Sequence, residues 1–385
     1  MDLFLIIISL VLLMYFAYRG YSIILIAPVF AILASLTEFS SMPVYSEIFM
    51  TKAAEYFKTY FPIFLLGAVF AKIMEAGEMA SSIAAFISRS LGKEHAILAV
   101  LIGCGVLTYG GLSVFVVVFV MYPFTALLFR EANIPKRLIP ATLWMGIFTY
   151  AMVAIPGTPQ IQNIIPTTFF GTSTWASPVI GVLSALVYFA LAWAWVTYRF
   201  KKLTSLGEGY GEHSKNEPEI IGDKPVPHWG LSLLPLIAVI LVNLYMSNPF
   251  HWSFAYHWDA QMLEPFKSLQ LSLLSPSVQR IYAIWSLDIA LGIGIILAII
   301  VGWKPIARKG GLVHVFNDGA LSSLAAILNT ASGYAFGSVI AKLSGFLVVK
   351  QALLNLNIGS GPLLSMVITT NIMAGLTGSA SGGMT

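Results

Sequence analysis

Two polar, glycine-rich runs interrupt otherwise apolar sequence, and they carry the groups best suited to binding a small polar molecule. The first covers residues 103–113 and the second residues 374–383. Irregular polar backbone inside a bilayer is costly unless protein or a filled cavity surrounds it. A paired break of this kind therefore predicts the substrate site of a secondary transporter. The candidate binding residues are Thr108, Tyr109, Gly110, Gly111 and Ser113 in the first run, and Thr377, Gly378, Ser379 and Ser381 in the second.

A third polar segment, residues 156–163, lies within an apolar stretch and completes the predicted site. Its two prolines remove backbone donors and break the helix. Polar side chains accompany them, which a plain proline kink would not require. The candidate residues here are Gly157, Thr158, Gln160 and Asn163. Close helix packing through small residues is the structural alternative for the two glycine-rich runs, and a plain proline kink is the alternative for this third segment.

The composition sets the class of protein. Of 385 residues, 58% are hydrophobic and only 10% are charged, whereas soluble domains carry about 25% charged residues. We therefore predict an all-α polytopic membrane protein. The lone Cys104 excludes an intramolecular disulfide and a cysteine metal site. The formal net charge of +4 reports membrane orientation rather than nucleic-acid binding.

Apolar segments of membrane-spanning length, about 17–25 residues, define the expected spans. They are Asp2–Tyr18, Gly20–Leu36, Tyr60–Glu75, Arg137–Ile155 with a continuation to Phe170, Pro178–Tyr198, Trp229–Ser247, Tyr282–Gly302 and Gly319–Leu343.

Basic residues predict how these segments are oriented. Arg89 and Lys93 precede the stretch 95–129, and Arg130, Lys136 and Arg137 follow it. Because Lys and Arg favour the cytoplasmic face, the stretch is predicted to be a re-entrant hairpin that enters and leaves by that face. The N-terminus is then outside, and the charged, proline-containing segment 200–228 is a cytoplasmic linker.

The two halves of the chain predict an inverted repeat. Leu107-Thr108 matches Leu376-Thr377, and the heptapeptide 67–73 matches 337–343 at nearly the same offset. The expected first repeat is 1–199, with the hairpin 95–129 and a broken helix 137–170. The second is 229–385, which we expect to be incomplete because the sequence ends inside its hairpin tip.

One residue is a candidate for ion coupling. Asp288 lies within a predicted span, and a carboxylate there is a functional candidate by default, although an interfacial role is an equal alternative. The six histidines lie singly, so neither a metal site nor a membrane-embedded enzyme is predicted. The aromatic loop 248–280 is interpreted as an interfacial belt.

Three long motifs, at residues 107–119, 134–142 and 155–172, resemble the gluconate permease (GntP) family of organic-anion:proton symporters. The resemblance leans to the 3-hydroxybutyrate permease-like branch, within the ion transporter superfamily, and residues 376–384 add to it. Members of that family continue through another broken helix and a final span, which this sequence lacks.

The resemblance implies proton symport of a small hydroxycarboxylate or sugar acid, such as 3-hydroxybutyrate or gluconate, across the inner membrane of a bacterium. A sodium-coupled carboxylate transporter and a truncated, non-transporting membrane subunit remain alternatives. The expected partners are the organic anion and the lipid bilayer, with a homodimer left open. Neither a cofactor nor nucleic acid is expected.

Overall fold

The computed structural model describes residues 2–213, 217, 226–346 and 363–377, and within these ranges the chain is helical and contains no strand. The longer helices are α1 (Asp2–Tyr18), α2 (Ile23–Ser35), α3 (Ser41–Ala76), α4 (Met79–Leu91), α5 (Ala96–Tyr109), α6 (Val114–Glu131), α7 (Ile139–Phe148), α8 (Ile161–Phe170), α9 (Pro178–Ser205), α10 (Trp229–Ser247), α11 (Tyr282–Arg308), α12 (Gly311–Ile340) and α13 (Leu363–Thr377).

Within the described part of the chain, five helices are long and apolar enough to cross a membrane, namely α3, α9, α10, α11 and α12. The bent pair α4–α5 adds a sixth candidate. The prediction of an all-α polytopic membrane protein is therefore confirmed.

Several helices are longer than the spans that the sequence predicted. The span expected to begin at Tyr60 belongs to a helix that begins at Ser41 and includes a π-helical stretch, Val44–Met50. Its early part is polar, and Lys52 pairs with Glu55 at 2.7 Å one turn away. Hydropathy marks only the apolar part of such a helix, because favourable i,i+3 pairs continue it into water.

Helix α4 was missing from the predicted elements. Its buried residues recur on one face, and its other face is polar, so no membrane-length apolar run announces it. The chain then turns through Gly92, which has φ +66°. A short 3-10 turn, Lys93–His95, follows, and α4 and α5 are bent by 101° at this corner.

The described chain divides into two compact units. The first comprises residues 1–64, 269–274 and 323–385. Its core packs side chains of α1 and α2 against the end of α12, including Leu13, Phe30 and Phe336. Ser344, just beyond α12, donates hydrogen bonds from its amide and its hydroxyl to the carboxylate of Glu38, both at 2.9 Å.

The second unit comprises residues 65–268 and 275–322 and contains α4 to α11. Helices α10 and α11 pack closely: a Cβ placed on Gly294 of α11 would lie 2.5 Å from Val239 of α10. The start of α10 is fixed on α4, where Trp229 stacks on Phe86 at 3.8 Å. The hairpin α5–α6 and the broken helix α7–α8 also belong to this unit.

The predicted linker 200–228 is partly ordered against the rest of this unit. Helix α9 continues into it as far as Ser205. Beyond the helix, the amide of Tyr210 donates to Asn133 Oδ1 at 2.9 Å, and Lys136 forms a salt bridge with Glu217. The described part of the linker therefore contacts the turn that follows α6 at Tyr210 and Glu217, although most of its described residues are exposed.

Candidate functional site

The first polar run forms a tight turn between α5 and α6. Leu112 N donates to Leu107 O at 3.2 Å, and Gly111 N donates to Thr108 O at 3.0 Å. This pair of bonds is a Schellman motif, which requires a left-handed residue where Gly111 has φ +95°. The glycine amides are thus used within the turn. The N–H groups that remain for a ligand are those at the start of α6.

Gln160 joins this turn to the break in the second polar segment. Its Nε2 donates to Thr108 O at 2.8 Å and to Leu112 O at 3.2 Å. Gln160 is also the N-cap residue of α8, with an extended backbone. One side chain therefore holds the beginning of α8 next to the beginning of α6, and two helix N-termini meet at the same place.

The backbone between α7 and α8 is irregular and is held by specific contacts. A single helical turn, Tyr150–Val153, precedes it. Gly157 has φ +82°, its amide donates to Thr174 O at 2.9 Å, and a Cβ there would lie 2.4 Å from the indole of Trp175. Asn163 Nδ2 donates to the carbonyls of Thr158 and Thr174 at 3.0 and 2.9 Å. A plain proline kink would need none of these bonds.

The remaining candidates of the first run have structural contacts. The Tyr109 hydroxyl donates to Pro156 O at 2.8 Å, which ties the turn to the break a second time. Gly110 lies under Leu236 of α10, where a Cβ would come within 2.5 Å. Ser113 is the N-cap of α6, but its hydroxyl makes no capping hydrogen bond, so the first amides of α6 are not covered by it.

Three residues of the site were missed by sequence reasoning: Asn243, Thr174 and Trp175. Asn243 is 1% exposed on α10, and its Nδ2 donates to Thr174 Oγ1 at 3.1 Å. Trp175 packs over Gly157. A lone asparagine in the apolar span Trp229–Ser247 was the available signal, because a polar residue at that depth needs a partner.

Buried polar atoms without partners mark the same region. Within the described ranges, five such atoms belong to the turn, the break and the helix beside them: Thr108 Oγ1, Thr158 Oγ1, Gln162 Oε1, Trp175 Nε1 and Asn243 Oδ1. Thr108 and Thr158 are fully buried. A buried donor or acceptor without a partner is unfavourable, so these atoms have unused capacity for hydrogen bonds with a polar ligand.

Two helix N-termini supply partial positive charge to a site whose candidate side chains are neutral. Helix N-termini carry partial positive charge and unpaired amides. Those of α6 and α8 are brought together here by Gln160. Such an arrangement suits a carboxylate without requiring Lys or Arg.

The comparisons with known proteins bear on the class of protein. No protein-family model matches the chain. The "uncharacterized transporter YxjC" of Bacillus subtilis (strain 168) is 43% identical over 397 residues, which cover 100% of this chain and 82% of YxjC. The chain belongs to the same transporter family as YxjC.

In this member of the YxjC family, Asp288 is the candidate for ion coupling. It lies in the second turn of α11, and its Oδ1 is buried without a hydrogen-bond partner among the described residues. Asp288 therefore lies near the start of one of the helices long enough to span a membrane, and its role in ion coupling stays a prediction.

The second polar run is described only up to its start. Helix α13 is described as far as Thr377, the counterpart of Thr108 in the first run. The other candidates of this run, Gly378, Ser379 and Ser381, lie outside the described residues. The inverted repeat stays a prediction.

Proposed function

We propose that this membrane transporter carries a small organic anion, a hydroxycarboxylate or sugar acid such as 3-hydroxybutyrate or gluconate, by proton symport. The observation that carries the proposal is the hydrogen bonding of Gln160 to both sides of the α5–α6 turn. This bonding brings two helix N-termini to one neutral, buried site, which favours an anion over a cation or a neutral solute.

The resemblance of the long motifs to the gluconate permease family supports the substrate class and the coupling ion. The unpartnered hydroxyls of Thr108 and Thr158 support a substrate that carries its own hydroxyl groups, because a site built for such hydrogen bonds rejects analogues that lack them. The carboxylate would then lie at the helix N-termini and the substrate hydroxyl near the two threonines.

We further propose that Asp288 takes up the coupled proton. A carboxylate in a span is expensive when charged and is typical of proton relays. Its buried oxygen without a described partner fits a group that alternates between charged and neutral forms. The second polar run, residues 377–381, is proposed to complete the site.

The proposed setting is the bacterial inner membrane, with the N-terminus outside and residues 200–228 in the cytoplasm. Arg199, Lys201 and Lys202 at the end of α9 support this orientation by the positive-inside tendency.

Uptake into proteoliposomes tests the proposal. The chain is reconstituted in vesicles with an imposed pH gradient, inside alkaline, and radiolabelled gluconate and 3-hydroxybutyrate are compared. Accumulation that collapses when a protonophore is added is the expected result. Accumulation that follows a sodium gradient and ignores pH would replace the proton by sodium, and transport of neither acid would overturn the substrate class.

The variant Asp288→Asn separates coupling from binding. It keeps the size and hydrogen-bonding capacity of the side chain but cannot take up a proton. We expect counterflow exchange of substrate to persist while pH-driven accumulation is lost. A matched control is Asp259→Asn, in the aromatic loop, where the carboxylate only accepts a hydrogen bond from Gln261 N at 2.8 Å. Unchanged accumulation in Asp288→Asn would remove Asp288 from the mechanism.

A further inference from the structure

A cavity of the larger unit lies apart from the candidate substrate site. It occupies about 510 Å³ between the corner that joins α4 to α5, the end of α6 and one side of α9. None of its lining residues belongs to the polar turn or to the break around Gln160.

Charged groups of both signs line one side of this cavity. Lys93, Glu94 and His95 come from the 3-10 turn at the corner, and Glu131 comes from the last turn of α6. Within the described ranges, neither carboxylate nor Lys93 forms a salt bridge with another side chain. The cavity thus offers one ammonium and one imidazole beside two carboxylates.

The opposite side of the cavity is formed by α9, whose most apolar stretch is largely exposed. Trp193, Thr197 and Phe200 lie at spacings of four and three residues and so share one face of α9. Only 17% of the most apolar stretch of α9 is buried, the lowest share among the five long apolar helices that the structure describes. The Thr197 hydroxyl is buried without a partner among the described residues.

The depth of the cavity is that of a membrane surface. Phe200 is followed at once by Lys201 and Lys202, and basic clusters at a span end mark the boundary between hydrocarbon and water. A molecule that fits here has a charged end toward the corner and an apolar end along α9.

We propose that this cavity binds the headgroup of an aminophospholipid such as phosphatidylethanolamine. Lys93 and His95 contact the phosphate, Glu94 and Glu131 accept hydrogen bonds from the primary ammonium, and Trp193 packs on the glycerol and upper acyl region. Two carboxylates disfavour a purely anionic headgroup, because it would leave them beside negative charge. A choline headgroup fits less well, since its quaternary ammonium has no N–H to donate.

Native mass spectrometry of the purified full chain tests this inference, with equimolar phosphatidylethanolamine, phosphatidylcholine and phosphatidylglycerol of identical acyl chains. The expected order of retained lipid is ethanolamine, then choline, then glycerol, with about tenfold between the first and the last. Equal retention of all three, or a preference for phosphatidylglycerol, would overturn the proposal.

The variants locate the site. Glu94→Gln with Glu131→Gln should abolish the preference for ethanolamine over choline, because the ammonium loses both charged acceptors. The control Glu264→Gln removes an exposed carboxylate that pairs with Lys267 in the aromatic loop, and it should keep the preference. Trp193→Ala should weaken retention of all three lipids without changing their order.

A competition experiment with the proposed substrates distinguishes a lipid site from a passage for substrate. Displacement of phosphatidylethanolamine by gluconate or 3-hydroxybutyrate would assign the cavity to substrate passage instead of lipid and would overturn the inference. Because the measured quantity is bound lipid and not uptake, this result is independent of whether the chain transports either acid.

Discussion

The two ends of α6 lie in opposite chemical surroundings. Its N-terminus, at Val114, adjoins the neutral, buried break held by Gln160. At its C-terminus an ionic cluster forms, which we define as Arg130, Lys136, Tyr210 and Glu217. At about 1.5 Å per residue, these ends are about 27 Å apart. One helix therefore connects a site whose side chains are neutral to a cluster that contains several charged side chains.

The difference follows from the solvent at each end. Inside the bilayer an unpaired charge is very costly, so polarity is supplied by carboxamides, hydroxyls and helix ends. At the cluster, water is accessible and cationic side chains also complement the negative end of the helix dipole. Hydrogen bonding and charge act on Glu217 here: Lys136, and then Tyr210 and Arg130, hold the pKa of this carboxyl below its usual value. The neutral end should hence tolerate mutation poorly and the charged end well.

The largest effect is expected for Gly157→Val at the neutral end. A Cβ there would lie 2.4 Å from the Trp175 ring, and φ is +82°, which a β-branched residue does not adopt readily. Overpacking and backbone strain together should cost about 3 kcal/mol or more. Thermal unfolding in detergent and substrate uptake are the measurements.

Gly207→Val is the matched control for that prediction. Gly207 also has a positive φ, +81°, but nothing lies within 4 Å of a Cβ there. Gly207→Val therefore introduces the backbone strain without a steric clash. If both variants lost the same stability, the contact with Trp175 would not matter and the break would not be tightly packed.

The next effect is expected for Gln160→Ala, which removes two hydrogen bonds to backbone carbonyls at the tip. Thr108 O keeps the bond from Gly111 N, whereas Leu112 O loses the bond from Gln160, and a buried acceptor left unpaired costs about 1–3 kcal/mol. The starts of α6 and α8 should also move apart. The rate of substrate uptake should therefore fall by a larger factor than the amount of folded protein.

Gln279→Ala is the control, because Gln279 also donates to a backbone carbonyl, Gly171 O at 2.9 Å, but at an exposed position. The ratio of uptake to folded protein separates a binding role from a structural one. A Gln160→Ala protein with full uptake per folded molecule would show that Gln160 only supports the fold.

Sequence reasoning located the neutral end but not its bonding. The glycine and proline runs at 107–113 and 156–163 are local signals, since irregular backbone in an apolar segment needs a reason. That Gln160 reaches Thr108 O depends on how the hairpin packs against the broken helix, and no local pattern encodes this. The contribution of Asn243 is missed for the same reason, because its partner Thr174 lies 69 positions away.

The contacts at the charged end were not predicted, for a different reason. The segment 200–228 has the composition of a solvated linker, and composition reports average solvation rather than particular pairs. The docking of Tyr210 and Glu217 relies on the position of Asn133 and Lys136 after α6. Likewise α4 was missed because only one of its faces is apolar, whereas spans were sought as continuous apolar runs.

The smallest effect is expected for Glu217→Gln in the ionic cluster. The pair Lys136–Glu217 is only partly buried, and salt bridges near the surface contribute about 0–1 kcal/mol, so the midpoint of thermal unfolding should change little at neutral pH. The pKa of Glu217 is lower in the folded chain than in the unfolded one. Its contribution is therefore present above the unfolded pKa and is lost as pH falls through the folded pKa.

Hydrogen exchange of the linker amides near Tyr210 measures this contribution directly. In the native chain, protection should decrease with added salt and with acidification below the usual range of a glutamate. In Glu217→Gln it should be low and should not change with pH across that range, while the amides at the start of α6 keep their protection in both proteins. Loss of protection at both ends of α6 in Glu217→Gln would mean that the ionic cluster and the neutral break unfold as one cooperative unit. It would contradict the view that the two ends are stabilised independently.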